Sequence, residues 1–152
     1  MYNIPEFELK VINPIIEEKN YYPFFATPNS AGMDIRSCED FEINPNETYE
    51  LRTGFAIWIN DPSYALLIIP RSGLGSRTGI ILGNLTGLID ADYQGDIIVT
   101  LWNRSNEKYV CKQGDRVAQM FFPRIVQPTF KYVSEFSGVT VRGVGGLGHT
   151  GV

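Results

Sequence analysis

Asp90 and Asp92 stand two residues apart, beside Tyr93, in a short loop bounded by Gly87 and Gly95. Asp, Gln and Gly keep that loop polar and tightly turned, so two carboxylates and a phenol are held close to exposed backbone. Arg71-Ser72-Gly73 offers a guanidinium, a hydroxyl and an unhindered peptide N–H in succession, the groups that grip an anion. It is not a Walker phosphate loop, which requires Lys followed by Ser or Thr. The block from Arg142 to Gly151 holds five glycines in ten residues. Ordering it costs enough conformational entropy to demand a compensating partner, and its arginine, hydroxyl and backbone amides suit a phosphate. Gln119, in an apolar run, and Asn84, ahead of the aspartate loop, each carry a donor and an acceptor; Asn84 is suited to the edge of a heterocycle. Every block has an ordinary alternative: a solvated turn around Asp90 and at Asn84, a surface turn at Arg71, a structural hydrogen bonder at Gln119, an unordered terminus after Gly138.

These groups need rigid carriers. Phe7, Leu9 and Val11 alternate with Glu8 and Lys10, which predicts a half-buried first strand. Pro14, Pro23 and Pro28 predict an irregular connection over residues 13–30. Short strands are expected over 31–37, 55–59, 109–111, 116–122 and 129–133, and over 41–43 and 48–51 around the turn Asn44-Pro45-Asn46. Residues 64–69 form an uninterrupted apolar run, which predicts burial on both faces. Ile80 to Leu82 and Ile97 to Trp102 flank the aspartate loop and predict one β-hairpin with that loop as its tip. Residues 70–79 are too rich in glycine for a long helix and allow a single turn after Ser72. The expected fold is all-β, a jelly-roll-like barrel or sandwich spanning 1–137, followed by a flexible Gly-rich arm over 138–152.

With 152 residues, 43% hydrophobic and 20% charged, the chain has the composition of one globular domain. A net charge of -4 argues against a nucleic-acid groove, which needs a basic stripe. A phosphorylated substrate would then be held by a few local arginines and a divalent cation. One histidine, His149, and two distant cysteines, Cys38 and Cys111, cannot assemble a deaminase-type zinc site. Two isolated thiols suit a reducing compartment, although the sequence leaves a single disulfide open. The first ten residues do not read as a signal peptide and no apolar segment reaches membrane-spanning length, so a cytoplasmic protein without membrane contact is expected.

Five blocks (31–37, 70–79, 87–95, 114–119 and 142–151), in this order and at these separations, closely resemble the five motifs of the homotrimeric deoxyuridine triphosphatases (dUTPases). The resemblance covers nearly the whole chain and implies a β jelly-roll subunit in a trimer, with three sites built at subunit boundaries. The implied reaction is hydrolysis of dUTP to dUMP and pyrophosphate by water attack on the α-phosphorus, which limits uracil in DNA and supplies dUMP for dTMP synthesis. By motif position, Asp90 is the base that orients and deprotonates the water, and Asp92 braces the loop. Tyr93 packs on the deoxyribose and leaves no room for a 2′-hydroxyl. The uracil pairs with backbone at Gly87, Leu88, Ile89 and Ile98 and with the side chain of Asn84. Arg71, Ser72, Gly73 and Gln119 hold the phosphates, and Arg142 arrives on the closing arm. The implied cofactor is Mg²⁺, coordinated by triphosphate oxygens, with Asp34 holding its water shell.

One position departs from the family pattern: Leu147 stands where an aromatic ring usually covers the uracil, so arm closure is expected to be somewhat weaker. Two rival functions are compatible with parts of this pattern. A deoxycytidine triphosphate deaminase shares the fold but relies on a glutamate near the base, and no Glu lies between Leu51 and Asn106. A nucleotide sensor without catalysis would be favoured by loss of Asp90 or Arg142, and both are present.

Overall fold

A computed structural model describes residues 4–146, and among these residues the protein forms twelve short strands and two small helices. In chain order they are β1 (Glu8–Val11), α1 (Ile15–Glu18), β2 (Phe24–Phe25), β3 (Met33–Arg36), β4 (Phe41–Ile43), β5 (Thr48–Arg52) and β6 (Phe55–Trp58). There follow β7 (Leu66–Pro70), α2 (Ser72–Thr78), β8 (Ile80–Leu82), β9 (Gly87–Ile89), β10 (Ile98–Asn103), β11 (Tyr109–Cys111) and β12 (Arg116–Phe121). All pairings between these strands are antiparallel. The five-stranded sheet runs β2-β3-β12-β7-β9, the three-stranded sheet runs β5-β10-β8, and β1-β6 and β11-β4 form two further pairs. The fold is all-β and jelly-roll-like, as the strand pattern predicts.

Period-two alternation builds the core. Val99, Leu101 and Asn103 of β10 are buried while Ile98 and its alternates face outward; Leu66 and Ile68 of β7 meet Ile35, Met120 and Phe55 in one apolar cluster. The continuous apolar run at 64–69 is therefore not buried equally on both sides, because Leu67 and Ile69 remain half-buried. Residues 13–30 are more ordered than their prolines suggest. Asn13 Oδ1 accepts from Ile15 N at 3.1 Å and starts the one-turn helix α1, whose Ile16 is fully buried.

The largest departure lies around the aspartate loop. β8 and β10 do pair, Leu82 opposite Leu101, but the segment between them is not a simple hairpin tip. It leaves the three-stranded sheet, and Gly87–Ile89 becomes the edge strand of the five-stranded sheet, with Gly87 opposite Ile68. Two residues permit this. Leu85 takes a left-handed φ of 65° to reverse the chain, and Gly87 lies so near Ile68 that a Cβ there would sit 3.2 Å from the Ile68 Cβ. Helix α2 is also longer than the expected single turn, seven residues closed by Gly79 in the left-handed region, with Leu74 packed on the core. The strand expected over 129–133 does not form. Phe130 and Tyr132 are 77% and 93% exposed, and a stretch of β-forming residues that is neither paired nor packed does not hold as a strand.

The β5–β6 turn anchors the excursion's return. Gly54 has φ 80°, and a Cβ there would meet Asn13 Cβ at 2.7 Å and Cys38 Sγ at 3.0 Å. Gly54→Ala is expected to lower stability by about 1–3 kcal/mol, read as a lower urea midpoint with the slope m unchanged.

Candidate functional site

The excursion between β8 and β10 carries the first group of candidate residues. Leu88, Ile89, Asp90, Tyr93 and Ile98 line one cleft of ≈ 230 Å³. β9 pairs only with β7, and β10 pairs with β5 from Ile98 but meets β8 only from Leu101, so Leu88–Ile89 and Ile98 each keep one strand edge without a ladder partner among the described residues. Unpaired peptide N–H and C=O groups in a cleft are ready-made hydrogen-bonding partners for a flat polar ring. Gly87 is buried at the root of β9, and Asn84 is exposed in the turn before it, outside the cleft lining. Asp90 also borders a larger depression of ≈ 500 Å³ with Asp61, Asp92 and Gln127; no Lys or Arg lines that one, so nothing there offsets an anion.

The loop is held by a residue that the sequence did not single out. Asp96 Oδ1 accepts from Gly54 N at 3.1 Å and lies 3.5 Å from Thr53 Oγ1, while Thr53 N donates to Ile97 O and Ile97 N to Phe55 O. The bracing expected of Asp92 thus falls to Asp96, because Asp92 points to solvent and Asp96 faces the buried turn. Within the loop, Tyr93 N donates to Asp90 O at 3.2 Å, and Tyr93 Oη donates to Asp96 O at 3.0 Å.

The second group sits on the opposite half of the five-stranded sheet. Asp34, on β3, is buried and shared by two guanidinium groups: Oδ1 accepts from Arg71 Nε at 2.9 Å and Oδ2 from Arg116 Nη1 at 3.0 Å. Gln119 lies directly across from Asp34 on β12, half-buried. Arg116 reaches this face because the β3–β12 register shifts between Arg116 and Ala118. Val117 is the extra residue, both it and Ala118 turn inward, and Arg116 is thereby sent to the side of Gln119 and Asp34. The signal was present as a break in alternation, two consecutive inward residues after an arginine.

Arg71 precedes α2 in extended conformation, with Ser72 and Gly73 in the helix's first turn. One carboxylate against two guanidinium groups leaves a net positive charge, and Arg71 keeps N–H donors beyond those it spends on Asp34. No hydrogen bond or ion pair among the described residues joins this cluster to the Asp90 cleft. Arg142 is exposed, its Nε donating to Gly145 O at 2.8 Å. Leu147 and His149 lie outside the described residues.

The two cysteines take no part in this chemistry. Cys38 Sγ donates to Thr53 O at 3.0 Å, and burial pushes both the Cys38 and Cys111 thiols up to about 11. Both are free. Among the described residues, no helix is long and apolar enough to cross a membrane.

Comparison with known proteins agrees on the family. Residues 19–151 match the family model for dUTPase. A deoxyuridine 5′-triphosphate nucleotidohydrolase from Neisseria meningitidis serogroup A / serotype 4A is 50% identical over 149 residues, 97% of either chain. A mutant of the Staphylococcus bacteriophage 80alpha dUTPase, solved with dUpNHpp, superposes with a TM-score of 0.82 at 26% identity, covering 97% of this chain and 99% of that one. A mutant dUTPase from phage phi11 of S. aureus, described with a structural Mg(II) ion, gives 0.77 at 24% identity over 88% of this chain and 99% of its own. On the fold, the five ordered motifs and a match that spans nearly every residue, the chain belongs to the dUTPase family.

Proposed function

We propose that this protein is a dUTP diphosphatase: it hydrolyses dUTP to dUMP and pyrophosphate, with Asp90 orienting and deprotonating the water that attacks the α-phosphorus. The observation that carries the reading is the cleft of ≈ 230 Å³ in which unpaired strand edges, Asp90 and Tyr93 converge. Uracil lies against Leu88, Ile89 and Ile98, with Gly87 supplying backbone and Asn84 its amide. Fixed peptide donors and acceptors suit uracil and leave unpaired groups facing cytosine, a costly mismatch once the base displaces water from the cleft. Tyr93 walls off the sugar's 2′ position. A carboxylate within about 3 Å of a water suffices as base when the developing phosphoryl charge is stabilised elsewhere.

That stabilisation falls to the second group. Arg71, Ser72, Gly73 and Gln119 hold the phosphates, and Arg142 reaches the terminal one as residues 138–152 close over the site. The donor set suits Mg²⁺ brought in on triphosphate oxygens, since among the described residues no three His, Cys, Asp or Glu side chains are grouped to hold a metal. Both Asp34 oxygens already accept from a guanidinium, which limits Asp34 to accepting from one of the ion's waters. When bound, the ion neutralises charge on the transferring phosphoryl group. A homotrimer with shared sites gives the Asp90 cleft of one subunit the Arg71 cluster of another, which fits their separation within a single chain. Such an enzyme, in the cytoplasm, limits uracil in DNA and supplies dUMP for dTMP synthesis.

A pyrophosphate-release assay with dUTP, UTP, dTTP and dCTP, with Mg²⁺ and with chelator, tests the assignment; turnover of dUTP alone and only with the ion is expected, and ammonia from dCTP would overturn it. In the same assay Asp90→Asn is expected to cut turnover by about a hundredfold or more while dUTP binding, followed by calorimetry, stays largely intact. Mixed assemblies refolded from Asp90→Asn and Arg71→Ala chains are expected to regain activity that neither has alone; mixtures as inactive as their parents would place both residues in one subunit's site. Truncation after Ser137 is expected to preserve the trimer, by light scattering, and remove most activity. A truncated chain that falls apart would make the arm structural.

A further inference from the structure

Tyr93 is 41% exposed at the mouth of the cleft, so burial does not fix its ring. Two local features do. Its hydroxyl donates to the Asp96 carbonyl at 3.0 Å, and the ring lies directly on Gly95. A Cβ at Gly95 would stand 2.4 Å from Tyr93 Oη, 2.6 Å from Cζ and 3.1 Å from Cε2. Gly95 is not in the left-handed region, so no positive φ calls for glycine there, and the three nearest atoms that a side chain would meet all belong to the tyrosine. Asp96, the acceptor, is itself immobilised by Gly54 N and Thr53 Oγ1 of the β5–β6 turn. A continuous set of contacts thus runs from that turn through Asp96 to the tyrosine at the cleft.

We propose that Gly95 and Asp96 are positioning residues for sugar discrimination: Gly95 is the seat of the Tyr93 ring, and Asp96 holds its hydroxyl, so that selection of deoxyribose over ribose depends on both. The proposal rests on the reading of Tyr93 as the wall against a 2′-hydroxyl. An alanine at Gly95 must push the ring tip by about 1 Å to restore van der Waals distance. A displacement of that size in a positioning group is enough to alter a barrier. A merely structural glycine would, when replaced, weaken dUTP and UTP turnover alike; a seat for the ring changes their ratio.

The experiment compares kcat/KM for dUTP and UTP in the wild type, Gly95→Ala, Tyr93→Phe and Tyr93→Ala, with thermal melts of each. Gly95→Ala is expected to lower the dUTP-to-UTP ratio about tenfold, within the range that steric discrimination supplies. An unchanged ratio in Gly95→Ala, whether or not both rates fall, overturns the proposal when Tyr93→Ala lowers the ratio. Should Tyr93→Ala itself leave the ratio unchanged, the tyrosine is not the sugar wall, and both readings fall. If Gly95→Ala does not fold, Tyr93→Phe decides instead, since it removes the bond to Asp96 and adds no atom: a lowered ratio supports the proposal and an unchanged one overturns it.

Discussion

The contact of Gly87 with Ile68 is the constraint on which the candidate site depends. A chain segment leaving one sheet can join another only where the two backbones approach closely, and a bare Cα opposite a branched side chain allows that. Once Gly87–Ile89 is committed to the edge of β7, its other edge faces Ile98 across a gap, and the cleft exists. The hydrogen bonds that Thr53 N and Gly54 N donate and Phe55 O accepts then draw the returning chain back to the three-stranded sheet. Loop polarity and loop geometry are thereby separated: the aspartates supply chemistry, while glycines and the β5–β6 turn supply position.

Much of this was legible in the sequence. Alternation at β10 and the proline and asparagine breaks located most strands, because a half-buried strand writes its period into its residues. β1 forms where the alternation at 7–11 put it but is not the half-buried strand expected, since Leu9 is exposed and only Val11 of the strand is partly covered. The grouping of Asp90, Tyr93, Leu88, Ile89 and Ile98 followed from their motif, and the structure lines one cleft with all five. What failed to show were effects of residues distant in sequence. Nothing near Gly87 tells that its partner is Ile68 rather than β10. The strand expected at 129–133 has suitable residues, but pairing and packing make a strand, and this segment stays exposed and unpaired among the described residues. The bracing role of Asp96 leaves no local mark in the sequence, because its partners, Thr53 and Gly54, lie more than forty positions away.

Asp34 illustrates how one buried group can be read in two ways. As a motif carboxylate it resembles a ligand for an ion's water shell. In the fold it is first the common acceptor for Arg71 and Arg116, and the bulge at Val117 is what delivers the second of these. Removing the carboxylate would take an ion-pair partner from both arginines at once and leave Arg71 with its longer bond to the Arg116 carbonyl, at 3.4 Å.

The Asp34 cluster carries one excess positive charge in a chain whose net charge is -4. A polyanion approaching from afar therefore meets repulsion, and attraction only within roughly the 10 Å screening distance of 0.1 M salt. Added salt damps the long-range repulsion more than the close pairing with partly buried guanidinium groups. Encounter with a triphosphate should thus be helped by moderate ionic strength, the reverse of the steering seen where an enzyme's whole surface attracts its ligand.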